Sequence, residues 1–176
     1  LRELQEVDHL ASILAECKMM SDRKGGGKPL LLKLSPDNSD DEIIASAQMA
    51  LRKGIDGFVA TNTTLHRPVP RNATSRGVFA ESGGLSGRPL QKRSNEVIRL
   101  LYEETQSTVP IVGVGGIDSV DTAWQAVSSG ASLLQLYSAL VFNGPSVVSC
   151  IVKGLRKRVK ENGFLSIEEA VGLDIT

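Results

Sequence analysis

Four apolar runs, each followed by a segment with helical spacing, limit the possible folds of this chain more than any other feature. The runs are "PLLLKLSP" (29–36), "IDGFVATNTT" (55–64), "VPIVGVGG" (109–116) and "SLLQLYSAL" (132–140). The segments that follow are "NSDDEIIASAQMALRKG" (38–54), "QKRSNEVIRLLYEET" (91–105), "DSVDTAWQAVSSG" (118–130) and "PSVVSCIVKGLRKRVKENG" (145–163). The runs do not alternate apolar with polar, which predicts strands covered on both faces and hence a parallel sheet sheathed by helices. A leading helix over 3–20 is predicted from Leu4, Val7, Leu10, Ile13 and Leu14. A closed (β/α)8 TIM barrel takes about 250 residues, and this chain has 176. Four βα units plus a helix therefore predict either half of such a barrel or a small doubly wound α/β domain. The strand ends favour the half barrel.

Punctuation between these units is clear. Residues 21–29 read as a flexible Gly/Lys loop, not a P-loop, because Lys28 precedes Pro29. Residues 65–90, rich in Gly, Arg, Pro and Ser, read as a long loop on the active-site side. Asn38 or Ser39 is the expected cap of the helix over 38–54, with acids in its first turn and Gly54 as its stop. Twenty basic residues balance twenty acidic ones, which argues against electrostatic binding of nucleic acid. Cys17 and Cys150 lack metal or disulfide spacing and read as buried spectators; no metal site is predicted. No apolar stretch reaches the ~18 residues of a membrane span, and the opening "LRELQEVDHLASIL" is too acidic for a signal peptide.

Ligands of parallel α/β sheets sit at the carboxyl ends of the strands. Lys33 lies in "LLLKL", where a strand buried on both faces has no structural use for an ammonium. It points to an anionic ligand; the structural alternative is a salt bridge to Asp56. Thr61, Asn62, Thr63 and Thr64 offer donors and acceptors suited to a planar polar ring, or else cap the following loop. Gly115 and Gly116, with Asp118 or Ser119 at the start of a helix, would expose backbone N–H groups to a phosphate. Tyr137 and Ser138 on the adjacent run would add theirs, and "ESGGLSGRPL" contributes Gly83, Gly84, Ser86 and Gly87. No acid or histidine is expected at a strand end as a proton acceptor: His9 falls on the first helix and His66 in the long loop. Trp124 is expected to pack on the barrel wall. Such a set reads as half of a cofactor site.

Taken together, "LLLKLSPD", "GIDGFVATNTT", "ESGGLSGRPL", "VPIVGVGGI" and "GASLLQLYSALVFNGP", in this order and spacing, closely resemble class 2 dihydroorotate dehydrogenases, the quinone-dependent, membrane-associated class. The resemblance covers nearly the whole chain. It implies the C-terminal part of a single FMN-binding (β/α)8 barrel domain, over residues 1–176, that oxidises dihydroorotate to orotate in pyrimidine biosynthesis. It further implies that Lys33 stabilises the reduced flavin by charge, and that Thr61 contacts the flavin. Asn62 and Thr63 would bind the orotate ring, and Gly87, Gly115, Gly116, Tyr137 and Ser138 would surround the FMN phosphate. Leu140, Val141 and Pro145 would line the path of a ubiquinone-type quinone.

In that family the base is a serine on a loop ending in a motif like SPNTPGLR. This chain opens with "LR", so the base is expected N-terminal to Leu1, with no catalytic residue of its own in this chain. The missing N-terminal half of the barrel, and a membrane surface reached through N-terminal helices, are the other expected partners. The implied location is peripheral, on the mitochondrial inner membrane or, for a bacterial source, the cytoplasmic membrane. Two alternatives remain on the residues alone: a non-catalytic phosphate- or nucleotide-binding half barrel, and another phosphate-binding barrel enzyme.

Overall fold

The computed structural model describes residues 7–70 and 72–175. Its elements run α1 (Val7–Arg23), β1 (Leu31–Leu34), α2 (Asp40–Arg52), β2 (Gly57–Ala60), α3 (Ala73–Phe79), α4 (Gln91–Thr105), β3 (Ile111–Val114), α5 (Val120–Ser128), β4 (Leu133–Gln135), α6 (Ser138–Asn143) and α7 (Ser146–Glu161). The four strands form one parallel sheet in the order β1-β2-β3-β4. The sheet thus has the predicted four βα units and leading helix, though Leu4 and the predicted helix start lie outside the described residues.

Local chemistry accounts for the helix starts. Ser39, not Asn38, caps α2: its hydroxyl accepts the Glu42 N–H at 3.3 Å, while the Glu42 carboxylate accepts the Ser39 N–H at 2.8 Å. That backbone bond, and then the bond from the Ser39 hydroxyl, hold the Glu42 carboxyl below its ordinary pKa. Ser119 and Thr122 form the same reciprocal arrangement at the start of α5. Helix α4 spans the predicted 91–105 and ends where Gln106 turns left-handed at φ 48°. Arg93 on α4 reaches back to the loop after β1, donating to the Pro36 carbonyl at 2.9 Å, the Asn38 carbonyl at 2.8 Å and Asp40 at 2.8 Å.

The sheet is not covered on both faces, contrary to the expectation from its apolar runs. One face carries Leu32, Leu34, Phe58, Ala60 and Ile111, all buried in a single core with Ile43, Ala47 and Ala50 of α2 and Val97, Ile98 and Leu101 of α4. The other carries Leu31, Lys33, Val59, Val112, Val114, Leu133 and Gln135, which are half-buried or exposed. Among the described residues nothing packs over that second face. Its apolar residues signal a surface that is made to be covered, as the interior of a barrel is.

Three local expectations change. The 65–90 segment contains the short helix α3 and a 3-10 turn at Arg88–Leu90. Arg67 organises it by donating to the Thr64 carbonyl at 3.0 Å and the Gly83 carbonyl at 2.6 Å. The fourth run splits: only Leu133–Gln135 is strand, and Ser138 already opens α6. Both cysteines are exposed, because α1 and α7 turn them away from the core. Trp124 is half-buried on α5, with the Arg158 guanidinium 5.5 Å from its ring centroid.

Candidate functional site: a cavity at the strand ends

A cavity of about 660 Å³ opens at the carboxyl ends of the four strands, within the ~300–1,000 Å³ usual for small-molecule and cofactor sites. Every unit contributes to its lining: Lys33 from β1, Thr61–Thr63 after β2, Ser86–Leu90 from the long loop, Val114–Asp118 after β3, and Gln135–Ala139 from β4 into α6. The nine residues expected to bind cofactor and substrate therefore share one cavity. Leu140, Val141 and Pro145 do not line it; they are exposed on α6 and the turn that follows.

The detail differs from the expectation in instructive ways. Lys33 is exposed on the open face instead of sunk between two layers of leucine, because only one side of β1 is covered. Asp56, its suggested structural partner, accepts the Leu30 N–H at 2.7 Å. Thr61 is 2% exposed, and its hydroxyl donates to the Asn62 carbonyl at 3.0 Å and lies 3.2 Å from the Ser94 hydroxyl. Ser94 in turn donates to the Val114 carbonyl at 2.6 Å. The Thr61 hydroxyl thus ties β2 to α4 and β3, and the surface it offers a ligand is small. The Ala60–Thr61 peptide is cis. Asn62 is exposed, and its side-chain oxygen accepts the Thr63 N–H at 2.8 Å, which leaves the carboxamide N–H groups to donate into the cavity.

The glycines after β3 serve packing first. A Cβ on Gly115 would lie 2.5 Å from the Ser94 Oγ; one on Gly116 would lie 2.5 Å from the Gln91 Cβ. Both have positive φ, 135° and 72°. They let β3 turn hard against the start of α4, and the backbone bared to the cavity is a consequence of that approach. The N-terminus of α5 is also more self-contained than expected. The Asp118 and Ser119 N–H groups both donate to the Thr122 hydroxyl, at 2.9 and 3.0 Å, and the Thr122 N–H goes to Ser119. Across the cavity, the Ser86 and Ser138 hydroxyls bond each other at 2.8 Å and join the long loop to α6.

An acid does stand at a strand end: Asp118 lines the cavity, but its carboxylate accepts the Arg88 Nε–H at 2.6 Å. That bond, then the charge of Asp118, raises the Arg88 pKa further. Asp37, after β1, is likewise engaged, by the Thr64 hydroxyl and by the Leu65 N–H at 2.9 Å. Gln135, expected at the end of the fourth strand, lines the cavity as well, and so do Arg88, Leu136, Phe142 and Asn143, for which the sequence alone suggests no role. All five sat inside quoted motifs, but the Arg88–Asp118 pair joins residues thirty apart and leaves no local signal.

The dihydroorotate dehydrogenase family model matches residues 1–159. The chain belongs to the dihydroorotate dehydrogenase family. Relatives named dihydroorotate dehydrogenase (quinone) are 42% identical in Trichodesmium erythraeum, over 98% of this chain, and 42% identical in Natronomonas pharaonis, over 99% of it. These cover 46% and 47% of the relatives, so the chain spans about half the length of the curated dihydroorotate dehydrogenases it matches. The dihydroorotate dehydrogenase of Eimeria tenella, solved in complex with ferulenol, superposes with a TM-score of 0.89 at 31% identity, covering 98% of this chain and 50% of that one. The four-stranded sheet is thus half of that enzyme fold, and its open face is the inner wall of a barrel. Among the described residues no helix is long and apolar enough to cross a membrane.

Proposed function

We propose that this chain forms the cofactor-binding half of an FMN-dependent dihydroorotate dehydrogenase that delivers electrons to a quinone. The observation that carries this reading is the single cavity that gathers Lys33, Thr61–Thr63, Gly87, Gly115, Gly116, Tyr137 and Ser138 at the ends of all four strands. The donor set suits a flavin nucleotide: a cation on one wall, a carboxamide and hydroxyls beside it, and hydroxyl and glycine backbone on the wall opposite. Bound there, FMN supplies the two-electron acceptor that oxidation of a dihydropyrimidine requires.

In this reading the chain's residues divide the work. Lys33 places positive charge where the ring gains electron density. Asn62 and Thr63 orient the substrate ring through the carboxamide and hydroxyl, and Thr61 sets their position through its buried hydroxyl bonds. Gly87, Gly116, Tyr137 and Ser138 hold the phosphate, with the Ser86–Ser138 bond fixing the hydroxyl end. The two acids near the cavity are tied to Arg88 and to the Thr64–Leu65 turn. The resemblance to the family assigns the proton acceptor to a serine N-terminal to Leu1, in the remaining half of the barrel, and the engagement of these two acids is compatible with that assignment. The quinone path follows α6, where Val141 is 71% exposed and Phe142, 85% exposed, leads out from the cavity lining. Membrane contact is assigned to the same remaining half, which makes the protein peripheral.

The test combines this chain with the N-terminal half of the barrel and follows dihydroorotate-dependent quinone reduction alongside flavin content. Lys33→Ala should cost about 10²–10³ in turnover, the usual loss for a group that stabilises developing charge, with FMN retained more weakly. Undiminished turnover would discard the role given to Lys33. Bound FMN without any dihydroorotate oxidation would favour the non-catalytic nucleotide-binding alternative.

A further inference from the structure

Lys33, Arg88 and Asp118 are the charged side chains among the described residues that line the cavity. Arg88 follows Gly87 directly, and Asp118 stands two residues after Gly116, so their 2.6 Å bond joins the two walls assigned to the phosphate. The Arg88 side chain is 76% exposed and that of Asp118 only 21%. A pair with one partner in water adds little to stability, so holding the fold together is a poor account of it.

Its effect on the cavity is larger. An unpaired carboxylate beside Gly116 would set a negative charge against any anion placed there. The two N–H groups nearest it are already engaged, because Thr122 takes those of Asp118 and Ser119. With Asp118 neutralised by Arg88, the remaining charge among the described lining residues is that of Lys33.

We infer that Arg88 determines the specificity of this cavity for a phosphorylated ligand by cancelling the charge of Asp118. The inference rests on the flavin-nucleotide reading above. It assigns Arg88 a positioning and charge-balancing role without direct contact to the phosphate. An electrostatic role of this kind has a signature that a mechanical clasp lacks: removing the two partners changes anion binding in opposite directions.

The experiment titrates FMN and riboflavin, which lacks the phosphate, into the protein carrying this chain, followed by flavin fluorescence. Arg88→Gln should weaken FMN about tenfold, whereas Asp118→Asn should leave it unchanged or tighten it several-fold, because Arg88 is then unopposed. The double variant should return to within about twofold of the unmodified protein, as expected of coupled neighbours. Riboflavin should shift in none of them, and added salt should shrink the FMN differences. Should Arg88→Gln fold poorly, Arg88→Lys, which keeps the charge, should hold FMN near its unmodified affinity; a tenfold loss there would overturn the inference. Equal weakening of FMN and riboflavin by both single variants would also overturn it and leave a clasp. Failure of the unmodified protein to bind either flavin would instead remove the flavin-nucleotide reading, and this inference with it.

Discussion

Neighbouring residues along each strand share a backbone and meet opposite surroundings. Phe58, Ala60, Leu34 and Ile111 are buried under α2 and α4, whereas Val59, Lys33 and Val112, one position away, face an uncovered surface. The covered side is packed by this chain's own helices. The open side is largely apolar too but has no partner among the described residues, and it carries the cation and polar ends that line the cavity. The difference teaches that stability and ligand chemistry are assigned to alternate positions of the same four strands, so each can be perturbed without the other.

The sharpest break of that comparison is a matched pair of truncations. Phe58→Ala on the covered face should cost about 3–5 kcal/mol, read from the urea midpoint. Val112→Ala on the open face should cost less than ~1 kcal/mol in this chain, since it removes little buried surface. Equal losses would mean that the open face is already covered, by self-association for instance. A next, smaller contrast concerns the glycines around the cavity. Gly116→Ala has no room against Gln91 as well as a positive φ, and should destabilise by roughly 2–4 kcal/mol. Gly87→Ala has φ 78° but its nearest neighbour is 3.8 Å away, so only the backbone strain of about 1–2 kcal/mol applies. Thermal melts of the two variants decide whether packing or conformation dominates.

The smallest effect lies farthest from the cavity. Ser39→Ala should cost about 1 kcal/mol by opening the cap of α2. The partner carboxylate gives this cap a pH dependence whose sign follows from its lowered pKa. A depressed Glu42 favours the folded state above the ordinary carboxylate range, and that contribution disappears as pH falls through the lower folded value. Glu42→Gln should therefore lower stability slightly near neutrality, where the ionised carboxylate contributes fully, and converge with the unmodified protein as pH falls, which flattens the acid limb of the stability–pH curve. An acid limb that is the same with and without Glu42 would assign the dependence to other carboxylates.

Much of this was legible in the residues. The βα alternation announced the parallel sheet, the Ser39 and Ser119 signals located two helix starts, and five ordered motifs indicated the family. Helix α3 was hidden because Gly77 and the flanking prolines and arginines resemble loop composition, and Arg67 organises that segment through contacts 3 to 16 residues away. The break after Gln135 was hidden because "LQLYSAL" is equally apolar on both sides of it.

By itself the sequence determined how apolar runs alternate with helical segments, where helices begin, and which side chains collect at the strand ends. Those properties depend on near neighbours in the chain, where periodicity and capping chemistry act. Only the tertiary structure decided that one face of the sheet stays open, that Lys33 stands on it exposed, and that Gly115 and Gly116 make way for α4. The same is true of the pairing of Arg88 with Asp118. These depend on which surfaces meet after the strands have paired, and an apolar residue reads the same in sequence whether its partner lies above it, below it, or in another half of the molecule.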